Sequence, residues 1–206
     1  IDTGVDLNHP DLQSNLLPGY DATGEGSNGN QTGNAHGTAC AGIVASVGNN
    51  NIGTVGIAYN AKIIPVKVFP TTGNPTDNMI ANGINWAWQN GADILSNSYG
   101  GGSYSSTIAN AITNAVYNGR NGKGSIVLFS SGNDNGSVSF PATVTNAIAV
   151  GASSMCDQRK YPNSCDGEYW WGSNYGTGLD LVAPGVKIYT TDISGSTGYN
   201  SGDYRS

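Results

Sequence analysis

A carboxylate, an imidazole and a primary amide stand at points where this chain should break out of regular structure: Asp2, His36 and Asn133. An imidazole moves protons near neutral pH, a carboxylate can fix which ring nitrogen carries the proton, and an amide N–H can steady an oxyanion. The amide follows Ser125-Ile126-Val127-Leu128-Phe129, a run that reads as buried strand and ends at Ser130-Ser131-Gly132-Asn133. Taken alone, that ending is also an ordinary Asn/Gly turn. Asp2 sits in an Asp-Thr-Gly tripeptide at a strand end. Such a tripeptide also suits two carboxylates that share a proton, but no second copy occurs. His36 opens a helical stretch, 36–45, whose small residues at 37, 39, 41 and 42 suit close packing on a sheet. A histidine there can equally be a simple helix cap.

The elements that must position these groups alternate. Residues 62–69 read as a buried strand and 76–90 as a helix, with Thr76 as N-cap, Ile80, Ile84, Ala87 and Trp88 on one face, and Gly91 as C-cap. Trp86 and Trp88 are packing residues on this reading. A strand at 93–96 ends in Asn97-Ser98-Tyr99-Gly100, and a helix at 105–118 carries Ile108, Ile112, Ala115 and Val116 at helical spacing. Strand, helix, strand, helix, strand at these intervals predicts an α/β fold with a parallel sheet and right-handed crossovers, so chemistry belongs at the carboxyl ends of the strands. One domain is expected for 206 residues.

Only 11% of residues are charged, and the net charge is −6. Eight scattered basic residues cannot form the cationic face that nucleic acid requires, and no apolar run approaches a membrane span. Nucleic-acid and membrane partners are therefore not expected. Cys156 and Cys165 would close a short surface loop if oxidised, or remain two free thiols in a reducing compartment; Cys40 is expected to be a buried thiol. No C-x-x-C pair suggests zinc. In His9-Pro10-Asp11, His9 reads as a solvated turn residue, and Asp11 as either a helix cap or a metal ligand. The Asn-rich loop 47–56 is either a plain turn or a wrap of carbonyl oxygens around a hard cation.

In chain order, Asp2-Thr3-Gly4, His36-Gly37-Thr38 and Ser131-Gly132-Asn133 resemble the three upstream signatures of the subtilisin-like serine protease family. Asn8-His9-Pro10-Asp11, Ser98-Tyr99-Gly100-Gly101 and Val182-Ala183-Pro184-Gly185 match collinear linking pieces, so the resemblance covers nearly the whole chain. It implies a three-layer α/β/α fold with a mostly parallel central sheet and a secreted, monomeric endopeptidase acting on proteins or peptides. His36 resembles the general base, Asp2 the carboxylate that orients it, and Asn133 the oxyanion donor. Ser98, Tyr99 and Gly100 resemble the edge that takes substrate backbone as an added strand, with Ser130, Ser131, Gly132 and Ser139 lining the first specificity pocket. Asp11, Asn50, Ile52 and Thr54 resemble a structural Ca2+ site. Cys40 resembles a thiol found beside the catalytic histidine, 155–171 an insertion stapled by Cys156 and Cys165, and Phe140-Pro141 a position for a cis peptide. The family's nucleophile lies in a Gly-Thr-Ser motif that does not occur in these residues. The resemblance thus implies a catalytic domain cut at both ends, with its serine beyond residue 206. The alternative is an inactive scaffold of the same fold that binds peptides or is structural.

Overall fold

A computed structural model describes residues 1–205. They group into two compact units, one of Ile1–Ala87 with the chain from Tyr189 onwards and one of Trp88–Ile188.

The first unit is built around helix α1 (His36–Ala45). Short strands β1 (Tyr20–Asp21) and β2 (Val66–Lys67) pair in parallel, and β7 (Thr190–Thr191) pairs antiparallel with β8 (Tyr204–Arg205). Val5, Leu12 and Ala41 form a core with Leu7, Leu16 and Ile63 packed against it. Helix α2 (Asp77–Gln89) starts at Thr76, whose hydroxyl accepts from the Met79 N–H at 3.2 Å, and Gly91 follows it with φ +90°. Ile80, Ile84 and Ala87 are buried as the periodicity requires. The strand expected at 62–69 is much shorter. Pro65 has no N–H to give a ladder, so regular pairing begins only at Val66, and Ile63 forms an isolated bridge with Leu16.

The second unit is a four-stranded parallel sheet in the order β3 (Ile94–Asn97), β4 (Ile126–Ser130), β5 (Ile148–Ser153), β6 (Leu181–Pro184). Helix α3 (Ser106–Gly122) links β3 to β4 and packs on β4. Ser105 caps it, and Ile108, Ala111, Ile112 and Ala115 are buried. Helical dihedrals stop after residue 118, where Gly119 turns to ψ 161°. Alternation divides the sheet sharply. Leu95, Val127, Phe129 and Ala149 are buried, whereas Ile94 pairs with Ile126, and Leu128 with Ile148, on a face where no residue is buried.

In the connection between β5 and β6, Cys156 and Cys165 are disulfide-bonded. The loop they close is folded around a buried ammonium. Lys160 Nζ meets Asp166 Oδ1 at 3.2 Å, the Tyr161 carbonyl at 3.1 Å and the Ser164 hydroxyl at 3.3 Å. The Phe140-Pro141 peptide is cis, as the resemblance implied.

The buried side of β4 and the exposed side of α3 predict contrasting energetics. Phe129→Ala should cost about 3–5 kcal/mol in a urea titration, because it empties a filled core position. Tyr117→Ala on the exposed side of α3 should stay within about 0.5 kcal/mol. Equal losses would contradict this assignment of the core.

Candidate functional site

Asp2 is held by backbone before its side chain acts. Its N–H donates to the Val66 carbonyl and its carbonyl accepts from the Val68 N–H, each at 2.9 Å, a parallel bridge opposite Lys67. The α1 N-terminus sits directly on this segment. A Cβ at Gly37 would lie 2.2 Å from the Gly4 carbonyl oxygen and 3.1 Å from the Asp2 Cβ, so glycine is what permits the approach. The Gly37 N–H also donates to the Thr3 hydroxyl at 3.0 Å.

That approach brings His36 Nδ1 to 2.7 Å from Asp2 Oδ1. The same oxygen accepts from the Thr3 N–H at 2.7 Å, and Asp2 Oδ2 is buried with no hydrogen-bond partner among the described residues. A carboxylate can only accept, so Nδ1 carries the proton and the lone pair is left on Nε2. The His36 ring is 43% exposed, enough to reach a substrate. Cys40 Sγ lies 3.9 Å from Nδ1 and is half-buried; the expectation of a fully buried thiol fails because it stands one helical turn beyond an exposed imidazole. The hydrogen bond to Asp2 raises the His36 pKa above the ordinary imidazole value, the Cys40 contact adds to the rise, and partial burial opposes it.

In the same unit, Asp11 is fully buried. Its Oδ1 accepts from the Asn50 amide at 2.6 Å, and its Oδ2 from the Thr54 N–H at 2.9 Å and the Tyr204 hydroxyl at 3.3 Å. Asn50 Oδ1 in turn accepts from the Ile52 N–H at 3.2 Å. All four residues named for a cation are thus together. Here the Asn50 amide presents its NH2 to the carboxylate; turned over, it offers a neutral oxygen beside an anionic one. With the loop carbonyls, that is a donor set suited to a hard divalent cation. His9 is not a solvated turn residue: it is fully buried, because its ring bonds to backbone at both nitrogens, accepting from the Asp11 N–H at 3.1 Å and meeting the Asp203 carbonyl at 2.8 Å.

In the second unit, Asn133 is exposed just beyond the carboxyl end of β4, and no described residue engages its side-chain amide. Gly132, with φ +109°, makes the turn; a Cβ there would lie 2.3 Å from the Asn174 amide nitrogen and 2.8 Å from the Ser139 hydroxyl. Asn174 was not anticipated. It is buried, its N–H donates to the Gly132 carbonyl at 2.9 Å, and its side-chain oxygen accepts from the N–H groups of Asp134 and Gly136 at 2.8 and 3.0 Å. One amide therefore holds both sides of the loop that carries Asn133. The Gly172-Ser173-Asn174-Tyr175-Gly176 stretch reads only as a turn, and nothing local in it says which loop it will brace.

Ser139 donates to the Ser131 carbonyl at 3.2 Å and lies beside Gly100 and Gly132, so these expected pocket residues do come together. Ser130 donates to the Tyr99 carbonyl at 3.5 Å, and the Tyr99 hydroxyl to Asn97 Oδ1 at 2.9 Å; Ser98 is half-buried beside them. The Ser131 hydroxyl points inward, donating to the Asn174 carbonyl at 3.1 Å. A cavity of about 200 Å³ opens against Ser130, Gly132, Asn133, Val150, Trp171 and Pro184.

Known proteins carry the same arrangement of sequence. The subtilase family matches residues 1–205. Thermitase of Thermoactinomyces vulgaris is 38% identical over 192 residues, 93% of this chain and 63% of that protein, and Subtilisin Savinase of Lederbergia lenta is 38% identical over 202 residues, 96% and 66% respectively. The chain thus spans less than two thirds of the length of these relatives. Among solved structures, a protease of Pseudoalteromonas arctica superposes with a TM-score of 0.80 at 31% identity, covering 99% of this chain and 69% of that one. A cold-adapted subtilisin-like serine proteinase follows at 0.77 and 28%, covering 99% and 65%. The expected fold is borne out: α/β with a mostly parallel central sheet, of the three-layer α/β/α subtilisin-like kind.

The Asp2–His36 bond makes a pH prediction. Because the folded-state pKa is the raised one, the stability this pair contributes is complete below about pH 6.5, the ordinary imidazole value, and is lost as pH rises through the folded value. The imidazole resonances of His36 should titrate above that ordinary value and fall back towards it in Asp2→Asn. An unchanged midpoint in the variant would refute the pairing.

Proposed function

This chain belongs to the subtilase family, and from that premise we propose that it is the greater part of the catalytic domain of a secreted serine endopeptidase acting on proteins or peptides. The observation that carries the reading is the 2.7 Å bond between His36 Nδ1 and Asp2 in a chain matched to the family along its length. The nucleophile is the serine of a Gly-Thr-Ser motif beyond residue 206, since no such motif occurs within it.

The chemistry follows from the tautomer. With Nδ1–H given to Asp2, the free lone pair on Nε2 accepts the serine proton as the serine oxygen attacks the scissile carbonyl. Asp2 stabilises the imidazolium that forms without taking its proton. His36 then gives that proton to the leaving amine, and repeats the exchange with water to release the acyl group. Asn133 donates an amide N–H to the oxyanion; its exposure, and the lack of a partner for its side-chain amide among the described residues, leave it free to do so. Residues 98–100 follow β3, an edge strand of the sheet, a position where an extended peptide can add as a further strand. Ser130, Ser131, Gly132 and Ser139 frame the pocket for the side chain before the cleaved bond. The rate should climb with pH as His36 loses its proton.

Asp11, Asn50, Ile52 and Thr54 would hold a Ca2+ ion, which would cross-link loop 50–54 to the turn at Asp11 through oxygen ligands.

Two measurements test this reading in the whole protein. A fluorophosphonate should label its serine, and His36→Ala should abolish labelling. Asn133→Ala should lower kcat by the roughly 10² to 10³-fold established for loss of such a donor in subtilisin, with KM little changed. A folded wild type that resists the reagent refutes the assignment. Separately, chelation of calcium should lower the Tm, since an ion that binds only the folded state stabilises it; an unmoved Tm would remove the metal from this loop.

A further inference from the structure

Because the Asn133 amide is engaged by no described residue, its place must come from the backbone around it. The Asn133 carbonyl accepts from the Gly172 N–H at 3.3 Å, a long bond, and two residues on the Asn135 N–H donates to the Gly172 carbonyl at 2.8 Å. Further along, the Tyr175 N–H donates to the Gly136 carbonyl at 2.8 Å, so segments 133–137 and 172–175 run beside each other through two parallel bridges. A third segment locks these two together. Within the loop closed by Cys156 and Cys165, residues 158–160 pair antiparallel with the end of β5, the Ser154 N–H donating to the Gln158 carbonyl at 2.7 Å and the Lys160 N–H to the Ala152 carbonyl at 2.8 Å. From there one nitrogen of Arg159, Nη1, donates to Asn135 Oδ1 at 2.8 Å and to the Ser173 carbonyl at 2.7 Å, one contact on each of the two segments. The guanidinium lies 4.2 Å from the centroid of the Tyr175 ring, and the Asn135 side chain fits over Gly172, where a Cβ would come within 2.8 Å of it.

We propose that Arg159 is a positioning residue for the oxyanion donor: by joining Asn135 to Ser173 it fixes the register of the loop that carries Asn133, and with it the direction of the Asn133 amide. This rests on the endopeptidase reading above. Asn174 grips the same loop through the N–H groups of Asp134 and Gly136. Arg159 adds a lateral tie to the segment on which the Asn133 carbonyl itself rests. An oxyanion donor acts on a charge that exists only as the reaction proceeds, so a loosened loop lowers kcat and leaves substrate binding largely alone. The stapled loop thereby has a task in the chemistry, since it delivers this guanidinium to the oxyanion loop.

A double-mutant cycle in the whole protein, read as kcat and KM on a peptide, tests the proposal. Arg159→Met keeps the aliphatic stem and removes the donors; it should lower kcat about 5- to 30-fold with KM within about twofold, a fraction of the loss from deleting the Asn133 amide itself. In an Asn133→Ala background the same substitution should change kcat by less than about twofold, because no amide is left to misplace. A wild-type kcat in Arg159→Met overturns the proposal. So does an equal loss with and without Asn133, the mark of a charge acting through space or of a general loosening of the fold. Should Arg159→Met fail to fold, Asn135→Gly, which drops an exposed acceptor at a residue of φ +54°, must lower kcat with the same dependence on Asn133, and a loss independent of Asn133, or none, overturns the proposal there too. An unaltered kcat in Asn133→Ala refutes the oxyanion assignment and this proposal with it, whereas a wild type that a fluorophosphonate does not label refutes the endopeptidase reading.

Discussion

The constraint on which the first unit depends is that one carboxylate must be kept out of water while remaining charged. Asp2 is 7% exposed, and its second oxygen is buried without a donor among the described residues. Such a group is costly unless the donors it does have are well placed, and it has two: the Thr3 N–H and His36. Much of the local architecture supplies that placement. The bridge to β2 fixes the Asp2 backbone, the absence of a side chain at Gly37 lets α1 descend onto it, and the Thr3 hydroxyl ties the helix start to the same segment. Lys67, opposite Asp2 in the bridge, is itself buried and turns its ammonium to Glu25 at 2.6 Å and Thr23 at 3.0 Å, so β2, the strand against which Asp2 is held, has its own charge neutralised.

The second unit meets a different requirement with neutral groups. Asn133 must stay unpaired to be useful, so its position cannot come from its own hydrogen bonds. It comes from the turn at Gly132 and from Asn174, which braces the loop from beneath. A buried amide suits this task because it accepts two backbone N–H groups without bringing a charge that would compete for the oxyanion.

What could be read beforehand divides along the same line. Helix α1, the cap at Thr76, the helical turns of 105–118 and the strand ending before Ser130 were legible because each is specified by nearby residues: small side chains, a capping hydroxyl, periodic aliphatics. Asp2, His36 and Asn133 were legible as a set, through their order and the motifs around them. Asn174 was not, because its meaning lies in a loop 40 residues away in sequence that only the folded sheet brings near. His9 was misread for the same reason. In a His-Pro-Asp turn nothing local predicts burial, and the carbonyl that justifies it arrives 194 residues later. The 62–69 strand failed at Pro65, where apolar character continued but the donor for a ladder did not.

The divided sheet has a consequence of another kind, for the behaviour of this polypeptide as a colloid. Parallel sheets are ordinarily covered on both sides, yet here Ile94, Ile126 and Leu181 are 55%, 43% and 54% exposed. What keeps such faces apart in solution is net charge, here −6, carried by few groups. Repulsion vanishes near the isoelectric point of about 4.5, whereas the attraction between bare aliphatic faces does not depend on pH. A polypeptide of these 206 residues therefore has a solubility minimum near that pH, where the carboxylates, with Asp93 beside Ile94 and Asp180 beside Leu181 among them, lose the charge that holds its copies apart.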